Sequence, residues 1–320
     1  MVAVPDTAVD LLFVLFGVAG LWLGAVVLVE SAVRLARRAG IPPLVIGLTV
    51  VAFGTSAPEF VVTIDAALTG KTTVSVANVV GSNVFNLAFV LGSVALVRAL
   101  PVSYDLVQRD GVSLLASAVL VAAFLADGLL DRVEGAVLSV ALLAYLSLVV
   151  TFRSAATGPE SARGDGPLEE SGEFDLLDPP KLVASLAIVV VCGHLLVEGA
   201  TDLARTAGVS EWVIGATVVA AGTSTPELAT SLIAARREQA GLSAGNLIGS
   251  SVFNLLGVLG LAGVLRPLPA GDSAFPGSLA LVLLCVLVAL LLGSEEELSR
   301  WEGAVLIAAG LVNWGVGFVT

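Results

Sequence analysis

Two glutamates stand in the middle of long apolar segments, where an ionisable side chain is costly unless it is paired or hydrated. Glu59 ends the sequence GTSAPE and Glu227 ends the sequence GTSTPE. In both, a proline lies four residues after a glycine, so the glycine carbonyl loses its helical N–H partner and the helix is expected to break. The predicted break residues are Gly54, Pro58, Gly222 and Pro226. Freed carbonyls and neighbouring hydroxyls are cation ligands, and the hydroxyls are those of Thr55, Ser56, Thr223 and Ser224.

A second pair of segments carries polar side chains at every fourth position of an apolar stretch, so each set forms one stripe on a helix. The stripes are Asn78, Ser82 and Asn86 in one segment, and Asn246, Ser250 and Asn254 in the other. With the two glutamates they offer carboxylate, amide and hydroxyl oxygens, without sulfur or imidazole. This set suits a hard cation such as Ca²⁺ or Na⁺ rather than Zn²⁺ or Cu⁺, and two glutamates neutralise one divalent cation.

The polar segments are two copies of one sequence. Residues 45–59 (VIGLTVVAFGTSAPE) and 213–227 (VIGATVVAAGTSTPE) share twelve of fifteen positions. Residues 78–92 and 246–260 share ten of fifteen at the same offset of 168 residues. Because the shared residues include Gly, Thr, Ser, Pro, Glu and Asn, chance similarity between apolar helices does not explain them. The chain therefore contains an internal duplication that preserves its most polar residues.

A few further polar residues do not belong to the segments described above. Asp65 has Ile233 at the equivalent position, and we expect Asp65 in an outer vestibule or at the end of a span. The single histidine, His194, lies in an apolar run and is expected to pack or to form a local hydrogen bond. Two repeated acids near span ends, each close to an arginine, are expected to have structural roles: Glu30 near Arg34, and Glu198 near Arg205.

The composition indicates which elements position these residues. Of the 320 residues, 57% are hydrophobic and 13% are charged, against about 25% charged in a typical soluble domain. This excludes an ordinary soluble protein and a disordered one. A net charge of −12 with no Lys/Arg run longer than two also excludes a nucleic-acid-coating protein. Long apolar blocks predict an all-α polytopic membrane protein in contact with the lipid bilayer, with no prosthetic group and no obligate protein partner.

Charge clusters and Pro or Gly signals divide the chain into ten predicted spans: 11–33, 44–69, 74–97, 109–126, 133–152, 181–203, 212–235, 242–264, 275–293 and 301–319. The polar residues 153–180 form a predicted hydrophilic loop between two five-span units, 1–152 and 181–320. The duplicated motifs lie at 45–92 and 213–260. Because each unit has an odd number of spans, the second must enter the membrane in the opposite orientation. Such inverted repeats place a transport site near the midplane and allow alternating access.

The positive residues predict the orientation of the spans. With the N-terminus outside, the inner loops hold eleven Lys and Arg residues: Arg34, Arg37, Arg38, Arg98, Arg109, Arg153, Arg163, Lys181, Arg236, Arg237 and Arg300. The outer loops hold four: Lys71, Arg132, Arg205 and Arg266. Since positive residues accumulate on the cytoplasmic side, we predict a multi-pass protein of the cell membrane with both termini outside and the 153–180 loop in the cytoplasm.

These segments resemble the two alpha-repeats of the cation/Ca²⁺ exchanger superfamily, and most of all its microbial sodium/calcium exchangers. The resemblance rests on GTSxPE and GSxVFN, each present twice, and covers nearly the whole chain. It implies four cation sites near the midplane, with Glu59 and Glu227 as shared ligands of Ca²⁺ and Na⁺. The other implied ligands are Thr55, Ser56, Thr223 and Ser224; Ser82 and Ser250 at flanking Na⁺ sites; Asn86 and Asn254 at the centre; and the carbonyls of Ala52 and Ala220. Some relatives carry aspartate where this chain has Asn254, so the centre here holds two formal negative charges.

The resemblance and the oxygen set together predict a secondary antiporter that exchanges Na⁺ for Ca²⁺ by alternating access and extrudes Ca²⁺. An H⁺/Ca²⁺ antiporter using the same glutamates is the alternative within transport. A passive cation channel is the alternative of another class, and it would need no counter-ion. The chain has no nucleophile–base pair, P-loop or metal-hydrolase spacing, so an enzyme is not expected.

Overall fold

The computed structural model describes residues 6–38, 56–101, 110–156, 177–236, 240–294 and 297–319, and most of them are helical. Within this described part, five helical stretches are long and apolar enough to cross a membrane: Thr7–Leu28, Thr72–Val97, Asp178–Ala207, Leu247–Leu265 and Ala274–Gly293. Val112–Asp127 and Glu211–Thr223 are shorter apolar helices. Large apolar side chains such as Leu15, Val133 and Leu290 are mostly exposed, as expected for a surface in contact with lipid. The chain is thus a helical membrane protein.

The elements of the first half begin with three helices, α1 (Asp6–Arg38), α2 (Ala57–Thr69) and α3 (Thr72–Val84). They continue with a π-helical segment (Phe85–Val90), α4 (Leu91–Val97), β1 (Leu100–Pro101), α5 (Val112–Phe124), a 3₁₀ turn (Leu125–Asp127), β2 (Leu129–Leu130) and α6 (Arg132–Ala156).

The second half repeats this order. It begins with α7 (Asp178–Ala207), α8 (Glu211–Ile214), a π-helical segment (Gly215–Val219), α9 (Ala220–Thr223) and α10 (Thr225–Arg236). It ends with α11 (Ala240–Phe253), a third π-helical segment (Asn254–Val258), α12 (Leu259–Leu265), β3 (Leu268–Pro269), α13 (Ala274–Ser294), β4 (Glu297–Leu298) and α14 (Arg300–Val319). Both α4 and β1 are matched by α12 and β3 at the 168-residue offset.

Local chemistry sets several helix ends. Asp131 caps α6, because its Oδ1 accepts the N–H of Glu134 at 2.8 Å while Glu134 Oε2 accepts the N–H of Asp131 at 2.9 Å. This reciprocal pair is a capping box. In the second half, Glu302 accepts the N–H of Ser299 at 2.8 Å, at the equivalent position before α14. Helix α2 ends at Gly70 with a φ of +88°, which favours glycine.

Two short strand pairs join the halves. Strand β1 pairs antiparallel with β4, with Leu100 opposite Leu298. Strand β2 pairs antiparallel with β3, with Leu130 opposite Leu268. Applying the 168-residue offset to one pair gives the other, so the two ladders are related by the same pseudo-symmetry as the sequence repeat.

The apolar core has two parts. The larger part runs through α3, α4, α11 and α12 and their π-helical segments. A smaller cluster lies where α1 and α7 face α2 and α3, and its members are only Leu, Val and Ala: Leu21, Val62, Ala66, Val74, Val189, Leu196, Val197, Ala200 and Val219. Helices α1 and α7 pack along each other, and the buried carboxylate of Asp178 accepts a hydrogen bond from Arg34 Nε at 2.9 Å.

The helices agree with the predicted spans in position but differ at their ends. Each of the ten predicted spans contains helix, although residues 44–55 of the second span lie outside the described residues. The predicted loop 153–180 is shorter at both ends, because α6 continues to Ala156 and α7 begins at Asp178. The two prolines after Asp178 stand in the first helical turn, where their missing N–H groups are tolerated. Residues 157–176 of this loop also lie outside the described part.

Candidate functional site

The polar segments are interrupted at equivalent serines. Ser56 precedes α2 with φ −84° and ψ 7°. Ser224 separates α9 from α10 with φ −85° and ψ 8°. Each serine is followed within two residues by proline, which donates no backbone hydrogen bond. The backbone thus has matching geometry at the two serines that precede the buried acids, and at Ser224 it separates two helices.

Both glutamates are fully buried in the first helical turn after these serines. The relative exposure of Glu59 and of Glu227 is 0%. Ser224 Oγ donates to Glu59 Oε1 at 2.8 Å, which links the two halves through their repeated residues. Glu227 stands three residues after Ser224, in the first turn of the helix that follows it. Two like charges buried together are unstable without a positive partner.

Hydroxyl and amide groups form a network beside the carboxylates. Thr223 Oγ1 lies 3.2 Å from Ser82 Oγ and 3.3 Å from Asn78 Oδ1. Asn78 Nδ2 in turn donates to Thr63 Oγ1 at 3.0 Å. These contacts hold α3 against the segment around Ser224 in the second half. The hydroxyls of Ser82 and Thr223 therefore lie beside Ser224, which donates to Glu59.

Several further polar atoms at these positions are buried without a hydrogen-bond partner in the described part of the chain. They are Ser56 Oγ, Glu59 Oε2, Ser250 Oγ, and both side-chain polar atoms of Asn86 and of Asn254. Buried polar atoms are nearly always paired, so such a group of unsatisfied oxygens indicates a site for a bound cation or water. Asn86 and Asn254 also lie in π-helical segments, which are frequent at functional sites.

The donor set limits what can bind. The described residues contain no group of three His, Cys, Asp or Glu side chains that could hold a metal ion. A cation between the two glutamates would therefore complete its shell with hydroxyl, amide and backbone oxygens. Oxygen-only coordination by flexible ligands fits Ca²⁺ and Na⁺. The candidate site is thus an oxygen-lined centre that carries two formal negative charges.

The predicted site residues fall into two groups. Those that are described and buried are Ser56, Glu59, Ser82, Asn86, Ala220, Thr223, Ser224, Glu227, Ser250 and Asn254, with the break residues Pro58, Gly222 and Pro226. Ala52, Gly54 and Thr55 lie outside the described residues, as does the side chain of Asn246. The carbonyl of Ala220 accepts hydrogen bonds from Ser224 N at 3.0 Å and from Thr223 Oγ1 at 3.1 Å.

Thr63 is a residue of the network that the motif analysis missed. It is buried, and its backbone carbonyl also accepts from Ser75 Oγ at 2.9 Å. Two signals could have found it, because Thr63 lies one helical turn after Glu59 and its repeat equivalent, Ser231, is also a hydroxyl residue. Asn78 was recognised in the polar stripe, but its role in positioning Thr223 needed the packing of the two halves.

The chain is similar to known proteins along most of its length. A family model described as sodium/calcium exchanger protein matches residues 9–151 and 181–312. CaxA of Alkalimonas amylolytica is 36% identical over 310 residues, which cover 93% of this chain and 95% of that protein. The sodium/calcium exchanger MaX1 of Methanosarcina acetivorans is 30% identical over 337 residues, with 93% and 95% covered.

A solved structure has the same fold. The sodium-calcium exchanger NCX_Mj, soaked with Na⁺ and Sr²⁺, superposes with a TM-score of 0.67 at 29% identity and covers 96% of this chain and 97% of its own. The family model covers both halves and both copies of the repeated motifs, at 45–92 and 213–260. The chain therefore belongs to the sodium/calcium exchanger family.

Proposed function

We propose that this protein is a secondary antiporter that exchanges Na⁺ for Ca²⁺ and extrudes Ca²⁺ across the cell membrane. The observation that carries the proposal is the buried pair Glu59 and Glu227, one from each repeat, linked across the halves by Ser224. Either one Ca²⁺ or several Na⁺ neutralise this pair, so that the two ions exclude each other. The named relatives MaX1 and NCX_Mj are sodium/calcium exchangers, which supports Na⁺ as the coupling ion.

The ligand set of the proposal follows the repeat. Glu59 and Glu227 bind either ion, and Asn86 and Asn254 complete the centre. Ser82 and Ser250 contribute to flanking Na⁺ sites. The remaining oxygens come from Ser56, Ser224, Thr55 and Thr223 and from the carbonyls of Ala52 and Ala220. The ions are substrates, and no resident cofactor is required.

The proposed topology has ten spans in two inverted five-helix units, 1–152 and 181–320, joined by the cytoplasmic loop 153–180. The strand ladders support this topology. The paired strands β1 and β4 both follow spans that end on the predicted cytoplasmic side. The paired strands β2 and β3 both lie in segments predicted to be outside, as do both termini. An arrangement with the two halves in the same orientation would place the partners of each ladder on opposite sides.

Alternating access requires one part of the molecule to move past the other. Helices α1 and α7 pack on each other and meet the rest of the chain through the small Leu, Val and Ala cluster. Neither helix carries one of the repeated ligand residues. We therefore assign the sliding motion to the pair α1 and α7, relative to the helices that hold the glutamates.

The test is ⁴⁵Ca²⁺ uptake by vesicles containing the purified protein. We expect fast uptake when the vesicles are loaded with Na⁺ and the outside is Na⁺-free, and only background uptake when Na⁺ is equal on both sides. A proton ionophore separates the alternatives: uptake driven by a pH gradient and insensitive to Na⁺ would replace Na⁺ by H⁺ as the coupling ion. Equal uptake without either gradient would indicate the channel and contradict exchange.

A further inference from the structure

One contact surface between the proposed moving and fixed parts contains ionisable side chains. His194 Nδ1 on α7 lies 3.1 Å from Asp65 Oδ2 on α2. One turn further along α7, Glu198 Oε1 lies 3.3 Å from Lys71 Nζ at the start of α3. We call these four residues the outer latch, because Lys71 is on the predicted outer side. Glu198 thus pairs with Lys71. Arg205, which is near Glu198 in sequence, is not its partner in this contact.

The outer latch extends from the ion site to the membrane surface. Asp65 lies six residues after Glu59 on the same helix, which is about 9 Å along the axis. The side chains are partly exposed, at 47% for His194, 25% for Asp65, 14% for Lys71 and 44% for Glu198. Charged pairs at such exposure form readily beside water and poorly against lipid. Partly exposed pairs of this kind are weak, so they can break and form again during a transport cycle.

Other charged groups near this surface are already paired elsewhere. Arg205, further along α7, binds Asp202 at 3.4 Å and Glu211 at 3.1 Å. Arg266 Nη1 donates to the backbone carbonyl of Leu68 at 3.1 Å. The latch contacts are the ion pair Lys71–Glu198 and the hydrogen-bonded pair His194–Asp65, and they join α7 to the helices carrying Glu59 and Ser82.

The outer latch joins the two halves and has no counterpart related by the sequence repeat. At the 168-residue offset, Asp65 is replaced by Ile233, Lys71 by Gln239 and His194 by Val26. Only Glu198 has an acidic equivalent, Glu30, and its 3.7 Å contact is with Arg34 within α1. In an inverted-repeat exchanger, the two halves swap conformations between the inward-facing and outward-facing states. A contact between the halves without a repeat-related counterpart therefore stabilises one state more than the other.

We propose that Asp65, Lys71, His194 and Glu198 are positioning residues that bias the exchanger toward the conformation in which α7 rests on α2. The inference rests on the alternating-access mechanism proposed above. It explains why an otherwise symmetric ion site need not be equally populated on the two sides. Because each exposed pair contributes modestly, breaking one pair should change the ratio of the two states by about twofold to fivefold.

The experiment measures the distance between α2 and α7 by pulsed electron spin resonance in nanodiscs. The native cysteines, Cys192 and Cys285, are replaced by alanine, and spin labels are attached at Leu68→Cys and Val191→Cys. Both positions are 58% exposed and lie on either side of the outer latch. We expect Glu198→Gln and Asp65→Asn each to move population from the distance of the latched state to a second distance.

Two further variants separate a latch from general loosening. The charge swap Lys71→Glu with Glu198→Lys should restore the parental distribution. Glu30→Gln, in the equivalent position of the first half, should leave it unchanged. An unchanged distribution in both latch variants, or an equal shift in Glu30→Gln, would overturn the latch. The distance measurement does not depend on transport. A protein coupled to H⁺ would therefore still show the shift in distance, although its transport assay would contradict the proposed Na⁺ coupling.

Discussion

Replacing Glu227 by glutamine is expected to reduce ⁴⁵Ca²⁺ uptake by at least about 100-fold, and Glu59→Gln is expected to do the same. Each change removes one of two buried negative charges but keeps the size of the side chain. Bound Ca²⁺ would then retain an uncompensated positive charge inside the protein, where solvent does not screen it. Uptake into Na⁺-loaded vesicles measures the effect directly.

The matched control is Glu134→Gln. Glu134 is also an acid in the first turn of a helix, but its role is to accept the Asp131 N–H, and glutamine serves equally well in a capping box. Glu134→Gln should therefore transport at the parental rate.

Ser224→Ala should have an intermediate effect of about tenfold, because it removes one hydrogen bond to a charged group. If a well-folded Glu59→Gln or Glu227→Gln variant took up Ca²⁺ at the parental rate, the assignment of the glutamate pair as the shared ligands would be wrong.

Gly81→Ala is expected to destabilise the folded protein by about 3 kcal/mol, the upper end of the range for overpacking. A Cβ on Gly81 would lie 2.5 Å from Ala216 Cα and 2.7 Å from its carbonyl carbon. Both neighbours are backbone atoms of the π-helical segment Gly215–Val219, which a side-chain rotation cannot move. Thermal unfolding in detergent, followed by tryptophan fluorescence, measures the loss.

The same substitution should weaken Ca²⁺ binding, because Gly81 stands beside Ser82, which lies 3.2 Å from Thr223. Pushing α3 away from the second half would separate these hydroxyls. Gly315→Ala is the control, since Gly315 is exposed and has no neighbour within 4 Å in the described chain. If Gly81→Ala unfolded at the parental temperature, the close approach of the two halves at this point would be wrong.

The burial of the two glutamates and the separation of two helices at Ser224 could be read from the sequence because local chemistry determines them, whereas the residues just before Ser56 lie outside the described part. Proline lacks an N–H wherever it stands, and a glutamate within an apolar segment needs a partner in any fold. The matching geometry at Ser56 and Ser224 agrees with this local origin. The repeat at a constant offset also let each element of one half indicate its equivalent in the other.

Other features depend on tertiary packing and had no local signal. A π-helical segment such as Phe85–Val90 changes the hydrogen-bond register without changing the apolar pattern, so periodicity did not predict it. Lys71 and Glu198 are 127 residues apart, and their pairing follows from how α7 lies on α2. The sequence placed Glu198 near Arg205, whereas the fold turns Arg205 toward Asp202 and Glu211.

We propose that one pair of glutamates binds both ions, and competition between Na⁺ and Ca²⁺ at equilibrium measures this sharing. The measurement is ⁴⁵Ca²⁺ binding to the purified protein at increasing Na⁺ concentration, with choline keeping the ionic strength constant. If Na⁺ and Ca²⁺ share Glu59 and Glu227, the apparent Kd for Ca²⁺ will rise with more than the first power of the Na⁺ concentration, while the number of Ca²⁺ sites stays the same. A Kd for Ca²⁺ that is unchanged by Na⁺ would contradict the shared site.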